Sequence, residues 1–163
     1  MKRKYTKIGD VFSVKLDDAG KKYMQYITSD LTQLNSDVIR AFRKIYPINE
    51  NPDLTDIIKG EVDFYAHCVT KLGIKLGLWE FIGNVSEIGN TENILFKNSG
   101  DYGNPAIKIS RDWWIWTINN KQKRVGLLEG VNRIAEIGVV VRPVSIVYRM
   151  RMGKYDFKYP DFE

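Results

Sequence analysis

The sequence predicts an α+β domain built on a strongly bent antiparallel sheet or partial β-barrel, with short helices at its edges. Residues 61–69 alternate between apolar and polar side chains, which is typical of a strand with one solvated face. Residues 78–85 are apolar on both alternating faces, which indicates a covered strand that is central in its sheet. Because 163 residues is the size of one domain, we expect residues 1–163 to fold as a single unit.

Composition places the chain among ordered globular proteins. Hydrophobic residues make up 44% and aromatic residues 12%, which is too apolar for a disordered chain. No apolar run reaches the roughly 20 residues of a membrane span. The basic start, Lys2 to Lys4, is followed by polar residues instead of the apolar region of a signal peptide. We therefore expect a cytoplasmic protein without a membrane partner, and the lone Cys68 fits a reducing compartment.

The net charge is a mild basic excess. It is +5, from 25 basic and 20 acidic residues, whereas a dedicated nucleic-acid binder carries a dense basic surface. Basic residues concentrate at 121–124 and 142–154, where a solvated face or a helix end also explains them. A nucleic-acid partner is therefore possible but not favoured.

The N-terminal half predicts strands and one short helix. Residues 10–16 and 21–28 form a hairpin around an Asp-Asp-Ala-Gly turn. Residues 37–46 fit either a helix after a Ser36 cap or an alternating strand. Residues 51–59 predict a helix, with Asn51 as N-cap, followed by a first-turn proline and an early acid.

The stretch at residues 71–85 combines three glycines with an apolar run centred on Trp79. Gly73 and Gly77 can adopt positive φ, so they predict a turn or a short helical turn before the strand. Gly83 predicts a bulge or the close approach of another segment. We predict that Trp79 is a core residue.

The C-terminal half begins with residues 86–105, whose Asn, Gly and Ser content predicts a long surface loop, interrupted by apolar residues 94–96. Residues 112–118 predict a strand in which Trp113 and Trp114 face opposite sides. Either both faces of this strand are covered, or one carries an exposed aromatic patch.

The last third predicts a strand, a helix and a packed tail. Residues 134–141 form a hydrophobic strand, and a helix runs from Pro143 to a stop at Gly153. Arg149 and other basic residues near its end complement the helix dipole. The aromatic residues at 155–162 should pack back onto the body.

Motifs for catalysis are absent from the sequence. His67 and Cys68 are adjacent in a strand and face opposite sides, so they cannot act together as base and nucleophile. His67 shares its face with Glu61, Asp63 and Tyr65, the one conceivable acid/base or metal site, although a solvated face gives the same pattern. No phosphate loop, dinucleotide fingerprint, zinc spacing or nucleophile elbow is present. We predict no enzymatic activity, cofactor or metal.

The order I-K-x-G-x-W-x-x-I-G is formed by Ile74, Lys75, Gly77, Trp79, Ile82 and Gly83. This spacing resembles the middle signature of the immunity protein 26 family of bacterial polymorphic toxin systems. Residues 9–12, residues 56–58 and a C-terminal segment through Pro143 also agree in order. The resemblance implies that residues 37–46 form a strand, and that the protein binds and occludes a cognate toxin domain without catalysing a reaction.

The contact surface of such a protein is predicted from exposed aromatic and loop residues. We expect it to draw on residues 86–102 and on Tyr102, Arg111, Trp113, Trp114 and Trp116. An alternative is a small β-barrel nucleic-acid reader, which would use Arg111, the tryptophans and residues 121–124. A hydrolase or transferase centred on His67 is the least favoured class.

Overall fold

The computed structural model describes residues 5–163, and within them ten strands form two separate sheets beside three short α-helices. Neither sheet closes on itself, and apart from a two-residue parallel pair the strands pair antiparallel, so the α+β prediction is confirmed. None of the described helices has the length and apolar character needed to cross a lipid bilayer.

The first sheet is ordered β5-β3-β2-β1-β6, with β4 beside β2. Its strands are β1 (Asp10–Lys15), β2 (Gly20–Asp30), β3 (Ser36–Phe42), β4 (Tyr46–Pro47), β5 (Val62–Cys68) and β6 (Glu80–Asn84). The second sheet is ordered β10-β7-β8-β9. Its strands are β7 (Leu95–Ser99), β8 (Trp113–Thr117), β9 (Lys123–Gly126) and β10 (Glu136–Ile137). The helices are α1 (Leu54–Ile58), α2 (Thr70–Lys75), α3 (Pro143–Met152) and a 3-10 helix at Gly130–Ile134.

The N-terminal hairpin is confirmed, and its turn has a clear cause. The Asp17 carboxylate accepts hydrogen bonds from the backbone N–H groups of Ala19 and Gly20, both at 2.8 Å. The ambiguous segment at residues 37–46 forms β3, which pairs with β2 and β5. The helix predicted at residues 51–59 begins later than expected, at Leu54. Its first turn closes on the Asp53 carbonyl, so Asp53, not Asn51, is the N-cap.

The strand at residues 78–85 was predicted to be central, and this is wrong: β6 is the edge strand of the first sheet. Ile82 is exposed, while Gly83 lies so close to α1 that an added Cβ would be 2.5 Å from Leu54 Cδ1. The pairing with β1 skips Ile82, which places a bulge beside Gly83 as predicted. Helix α1 therefore packs against this edge strand at Gly83, and no residue of β6 is fully buried.

Two further predictions are wrong. Residues 86–105 do not form one loop, because β7 lies within them and pairs with β8, with Phe96 fully buried. Residues 134–141 contain only the two-residue β10 and an isolated bridge at Val140, since the 3-10 helix occupies their start. In the first stretch Ile94 and Phe96 are buried, as their apolar character predicts. In the second, Val141 is buried, but Ile134 is 76% and Val140 42% exposed.

The C-terminal helix and tail are confirmed. Helix α3 starts at Pro143 and ends at Gly153, which has a φ of 78° in the left-handed region that favours glycine. Tyr155 and Phe157 pack against the main core. Asp161 exchanges backbone hydrogen bonds of 2.8 Å with residues 108 and 110, which fixes the end of the tail.

Both faces of the first sheet are covered. One face carries the main core cluster, to which α3 contributes Ile146 and Met150. Alternation along the strands sends Val11 and Tyr23 to the opposite face. There α1 covers one region through Ile57, and the second sheet covers another through Phe96 and Trp116.

Candidate binding surface and the buried centre beneath it

The five residues predicted to contact a partner divide into an interior and an exposed group. Trp113 is 0% exposed and Trp116 is 4% exposed, so these two belong to the core. Trp114 is partly exposed, and Tyr102 and Arg111 lie on the surface. The opposite orientation of Trp113 and Trp114 follows from their adjacency in β8, and both faces of this strand are largely covered.

The exposed Tyr102 lies on a layered aromatic stack. Its ring is 4.9 Å from that of Tyr159 in the tail, and Tyr159 in turn lies 6.1 Å from Trp113. The Tyr159 hydroxyl donates to Asn98 Oδ1 at 3.1 Å and accepts from the Ser99 N–H at 3.2 Å. Burial raises the pKa of Tyr159 to about 12, so it remains a neutral donor at physiological pH. The stack gives Tyr102 a fixed base at the surface.

A groove of about 760 Å³ opens between residues 102–108 and the tail. Its walls combine aromatic rings, two prolines and two lysines, contributed by Tyr102, Pro105, Lys108, Phe157, Lys158, Tyr159 and Pro160. The backbone pairing of Asp161 with residues 108 and 110 fixes one side of the groove to the other. A rigid aromatic groove with cationic edges is suited to receive a segment of another protein.

Trp114 occupies the middle of β8, between Asn98 on β7 and Arg124 on β9. Arg124 Nε donates to Asp112 Oδ1 at 2.8 Å, an ion pair at the surface next to the tryptophan. Tryptophan and arginine are enriched in binding hot spots, and here a partly exposed tryptophan lies beside an arginine.

The wet face predicted for the strand at residues 61–69 is wrong at His67, which is fully buried because the second sheet packs there. Its ring lies 4.3 Å from Phe96 and 6.0 Å from Trp116. Its Nε2 donates to Asp30 Oδ2 at 2.9 Å, which leaves Nδ1 without a hydrogen-bond partner among the described residues. His67 therefore does not join Glu61 and Asp63 in an exposed acid/base site.

Asp30 is the centre of this buried network. Its Oδ2 also accepts from Trp116 Nε1 at 3.0 Å, and its Oδ1 accepts from the backbone N–H groups of Gln33 at 3.2 Å and Asn119 at 3.1 Å. One carboxylate thus connects β2, β5 and β8, and so joins the two sheets. The buried network could not be recognised from the sequence around Asp30, because an aspartate at a strand end normally indicates a turn.

The environment of the pair fixes its charge state. Burial alone would raise the Asp30 pKa, but the hydrogen bonds from His67, Trp116, Gln33 and Asn119 together outweigh it and hold that pKa below its usual range. Burial lowers the His67 pKa, and the opposing attraction of Asp30 does not restore it. An ionised Asp30 and a neutral His67 follow. Both side chains are 0% exposed, so a substrate cannot reach the pair. The pair links β2 to β5.

The stability of the protein should fall as the pH drops below about 6.5, the ordinary His67 pKa. Below that pH the unfolded chain binds a proton that the folded state resists, so His67 contributes full stability above 6.5 and progressively less below it. One such proton gives a slope of at most about 1.4 kcal/mol per pH unit. Urea unfolding at a series of pH values between 7.5 and 5 would measure it.

The variant His67→Gln is the control, because the glutamine amide can still donate to Asp30 but does not titrate. The chain contains one histidine, so this variant should lose the dependence between pH 6.5 and 5. The same slope in both proteins would contradict the assignment.

Arg149 has a different role from the dipole complementarity predicted for it. Its Nη1 donates to Glu136 Oε2 at 3.0 Å, and its guanidinium lies 4.1 Å from the ring of Phe64 and 4.7 Å from that of Tyr155. The pair links α3 to β10. Arg149 is therefore a packing and pairing residue, not a free cation for a ligand.

In the described part of the chain, no three His, Cys, Asp or Glu side chains are grouped so that they could hold a metal ion.

Comparison with known proteins identifies the family of this chain. The family model described as Immunity protein 26 matches residues 7–106, more than half of the chain. The chain belongs to the immunity protein 26 family. No curated protein and no solved structure matched it.

The tryptophan of the immunity protein 26 signature, Trp79, has a packing role in the structure. The Trp79 indole covers Gly73 so closely that an added Cβ would lie 1.9 Å from the ring, and Trp79 Nε1 donates to the Thr70 carbonyl at 2.8 Å. Glycine is therefore required opposite the tryptophan. The family match ends at residue 106, so it includes Tyr102 but not Arg111 or Trp114.

Proposed function

We propose that this protein is a non-enzymatic immunity protein that binds the cognate toxin domain of a polymorphic toxin system in the cytoplasm and blocks it by occlusion. The observation that carries the proposal is the immunity protein 26 match over residues 7–106. The buried state of the only histidine supports a function by binding, because His67 and its partner Asp30 have no contact with solvent.

The contact surface we propose includes Tyr102, Arg111 and Trp114, with the groove beside Tyr102. The aromatic and arginine side chains at this surface are the types that contribute most to protein interfaces. Trp113 and Trp116 would support this surface without contacting the partner. Trp113 packs against Tyr159, and Trp116 donates a hydrogen bond from β8 to Asp30. Because Tyr102 already stacks on Tyr159, little conformational entropy would be lost when it binds.

The test is binding to the toxin domain encoded by the neighbouring gene, measured by calorimetry with the full-length protein. A complex of one to one stoichiometry is expected. Each of Tyr102→Ala, Arg111→Ala and Trp114→Ala should weaken it by 10-fold or more, equivalent to about 1.4 kcal/mol. Tyr5→Ala is the matched control, because Tyr5 is 59% exposed, Tyr102 is 48% exposed, and Tyr5 lies outside the proposed surface. Equal affinity of the three variants and wild type would contradict this surface.

The nucleic-acid alternative predicts a different salt dependence. Binding driven by phosphate contacts falls steeply as salt rises, whereas an interface anchored by aromatic side chains changes much less. We expect no tight binding of single-stranded DNA or RNA between 50 and about 200 mM salt. Tight and strongly salt-dependent binding to nucleic acid, without binding to the toxin domain, would overturn the proposed function.

A further inference from the structure

Two turns from different sheets meet at one place and share an unusual backbone. We call them the paired turns: residues 31–35 between β2 and β3, and residues 118–122 between β8 and β9. Among residues 5–163, the non-glycine residues with positive φ are Leu34 at 63°, Asn35 at 46° and Asn119 at 65°, and all of them lie in the paired turns. Asparagine tolerates this region, but leucine rarely adopts it. Backbone strain of this kind tends to occur at functional positions.

Hydrogen bonds between the turns hold this backbone in place. Asn119 Oδ1 accepts from the Leu31 N–H at 2.8 Å, and the Asn119 carbonyl accepts from Thr32 Oγ1 at 3.0 Å. Asp30 lies beneath them and binds the N–H groups of Gln33 and Asn119 with one carboxylate oxygen. The fully buried aspartate therefore fixes both turns, so their surface is formed before any partner arrives.

Apolar side chains project from this rigid surface. Leu31 is 70% exposed and Leu34 is 39% exposed, although turns of this kind normally carry polar residues or glycine. Leu34 thus combines a strained backbone with an exposed side chain, and neither feature contributes to the core. Two leucines held in fixed positions are suited to act as anchors for an apolar pocket.

The exposed charges within the paired turns and the adjoining start of β9 have a single sign. Lys121 and Lys123 are exposed, and the segments 31–35 and 118–124 contain no acidic residue. Neither lysine forms an ion pair within the described part of the chain. Arg124, the third cation, is paired with Asp112. A partner that complements this surface must surround its apolar pocket with carboxylates.

We infer that the paired turns dock into an apolar pocket of the toxin domain, with Leu31 and Leu34 in the pocket and Lys121 and Lys123 against carboxylates at its rim. This inference rests on the proposed function, but it uses other residues. Residues 118–122 follow β8, whereas Arg111 precedes it, so the paired turns form a second contact at the opposite end of that strand.

The decisive variant is Leu34→Asn. Asparagine tolerates positive φ better than leucine, so the thermal midpoint should stay the same or rise. Loss of the apolar anchor should nevertheless weaken binding of the neighbouring gene's toxin domain by 10-fold or more. Leu76→Asn is the matched control, because Leu76 is 55% exposed and lies outside the paired turns. A merely structural role for Leu34 would not lower affinity while the protein keeps its stability.

A charge-reversal variant provides an independent measurement. Lys121→Glu combined with Lys123→Glu should slow association by 10-fold or more in low salt, and the difference should shrink as salt screens the charges. If wild type binds the toxin domain and both the Leu34→Asn and lysine variants bind equally well, the paired turns are not a contact and the proposed function remains. If wild type does not bind that domain, the proposed function fails and this inference fails with it. If Leu34→Asn lowers the thermal midpoint, the lysine variant alone decides.

Discussion

Replacing Trp79 with alanine should destabilise the protein by about 3–5 kcal/mol, the usual cost of removing a buried aromatic side chain. Trp79 is 2% exposed and packs against Phe12, with ring centroids 6.4 Å apart. Its indole also covers Gly73 and donates to the Thr70 carbonyl, so the truncation would leave a cavity beside α2 and an unpaired carbonyl. The loss should appear as a lower urea midpoint with an unchanged slope.

Trp114→Ala is the matched control for this experiment, because Trp114 is the partly exposed tryptophan of β8. It should cost clearly less stability than Trp79→Ala while weakening partner binding. A Trp79→Ala protein with near wild-type stability and no partner binding would show that Trp79 belongs to a contact surface and not to the core.

Replacing Asp30 with alanine should also cost about 3–5 kcal/mol, as expected when one partner is removed from a buried charged network. Four hydrogen bonds end on this carboxylate. Without it, His67 and Trp116 would keep buried donors without acceptors, and the two sheets would lose their polar link. The variant should therefore unfold at a lower urea concentration.

A double-mutant cycle separates the link from simple loss of volume. Once Asp30 is absent, His67→Leu should cost less than it does in wild type, with a coupling of about 1 kcal/mol or more between two residues in contact. Amide exchange at Asn119 gives a local readout, because its N–H donates to Asp30. Additive effects of the two mutations, with Asn119 still protected, would contradict the role assigned to Asp30.

Much of the fold could be predicted because its signals are local. The β1–β2 hairpin follows from alternation and an Asp-Asp-Ala-Gly turn, and α3 follows from Pro143 and Gly153. The edge position of β6 could not be predicted. Apolar residues on both faces predicted a covered, central strand, but no residue of β6 is fully buried. The position of a strand in its sheet depends on which strands lie beside it, and the side chains of β6 do not report this.

The candidate surface was predicted only in part. Residue type identified Trp113, Trp114 and Trp116 as notable, and strand alternation separated Trp113 from Trp114. The exposed member could not be chosen, because it depends on the tail and on the second sheet. The network around Asp30 could not be predicted either, since His67 is 37 residues away in sequence and Trp116 is 86 residues away.

The point at which the family match ends has a consequence for work with fragments. Residues 7–106 contain all strands of the first sheet but only β7 of the second. A chain that stopped there would lack the β8 partner of β7, the Trp116 donor to Asp30, and the cover that Ile146 and Met150 give the main core. Such a fragment would present an unpaired strand edge and bare apolar faces, which favour self-association. The family match therefore ends between elements that contact one another, and we expect an excised family segment to behave differently from this chain.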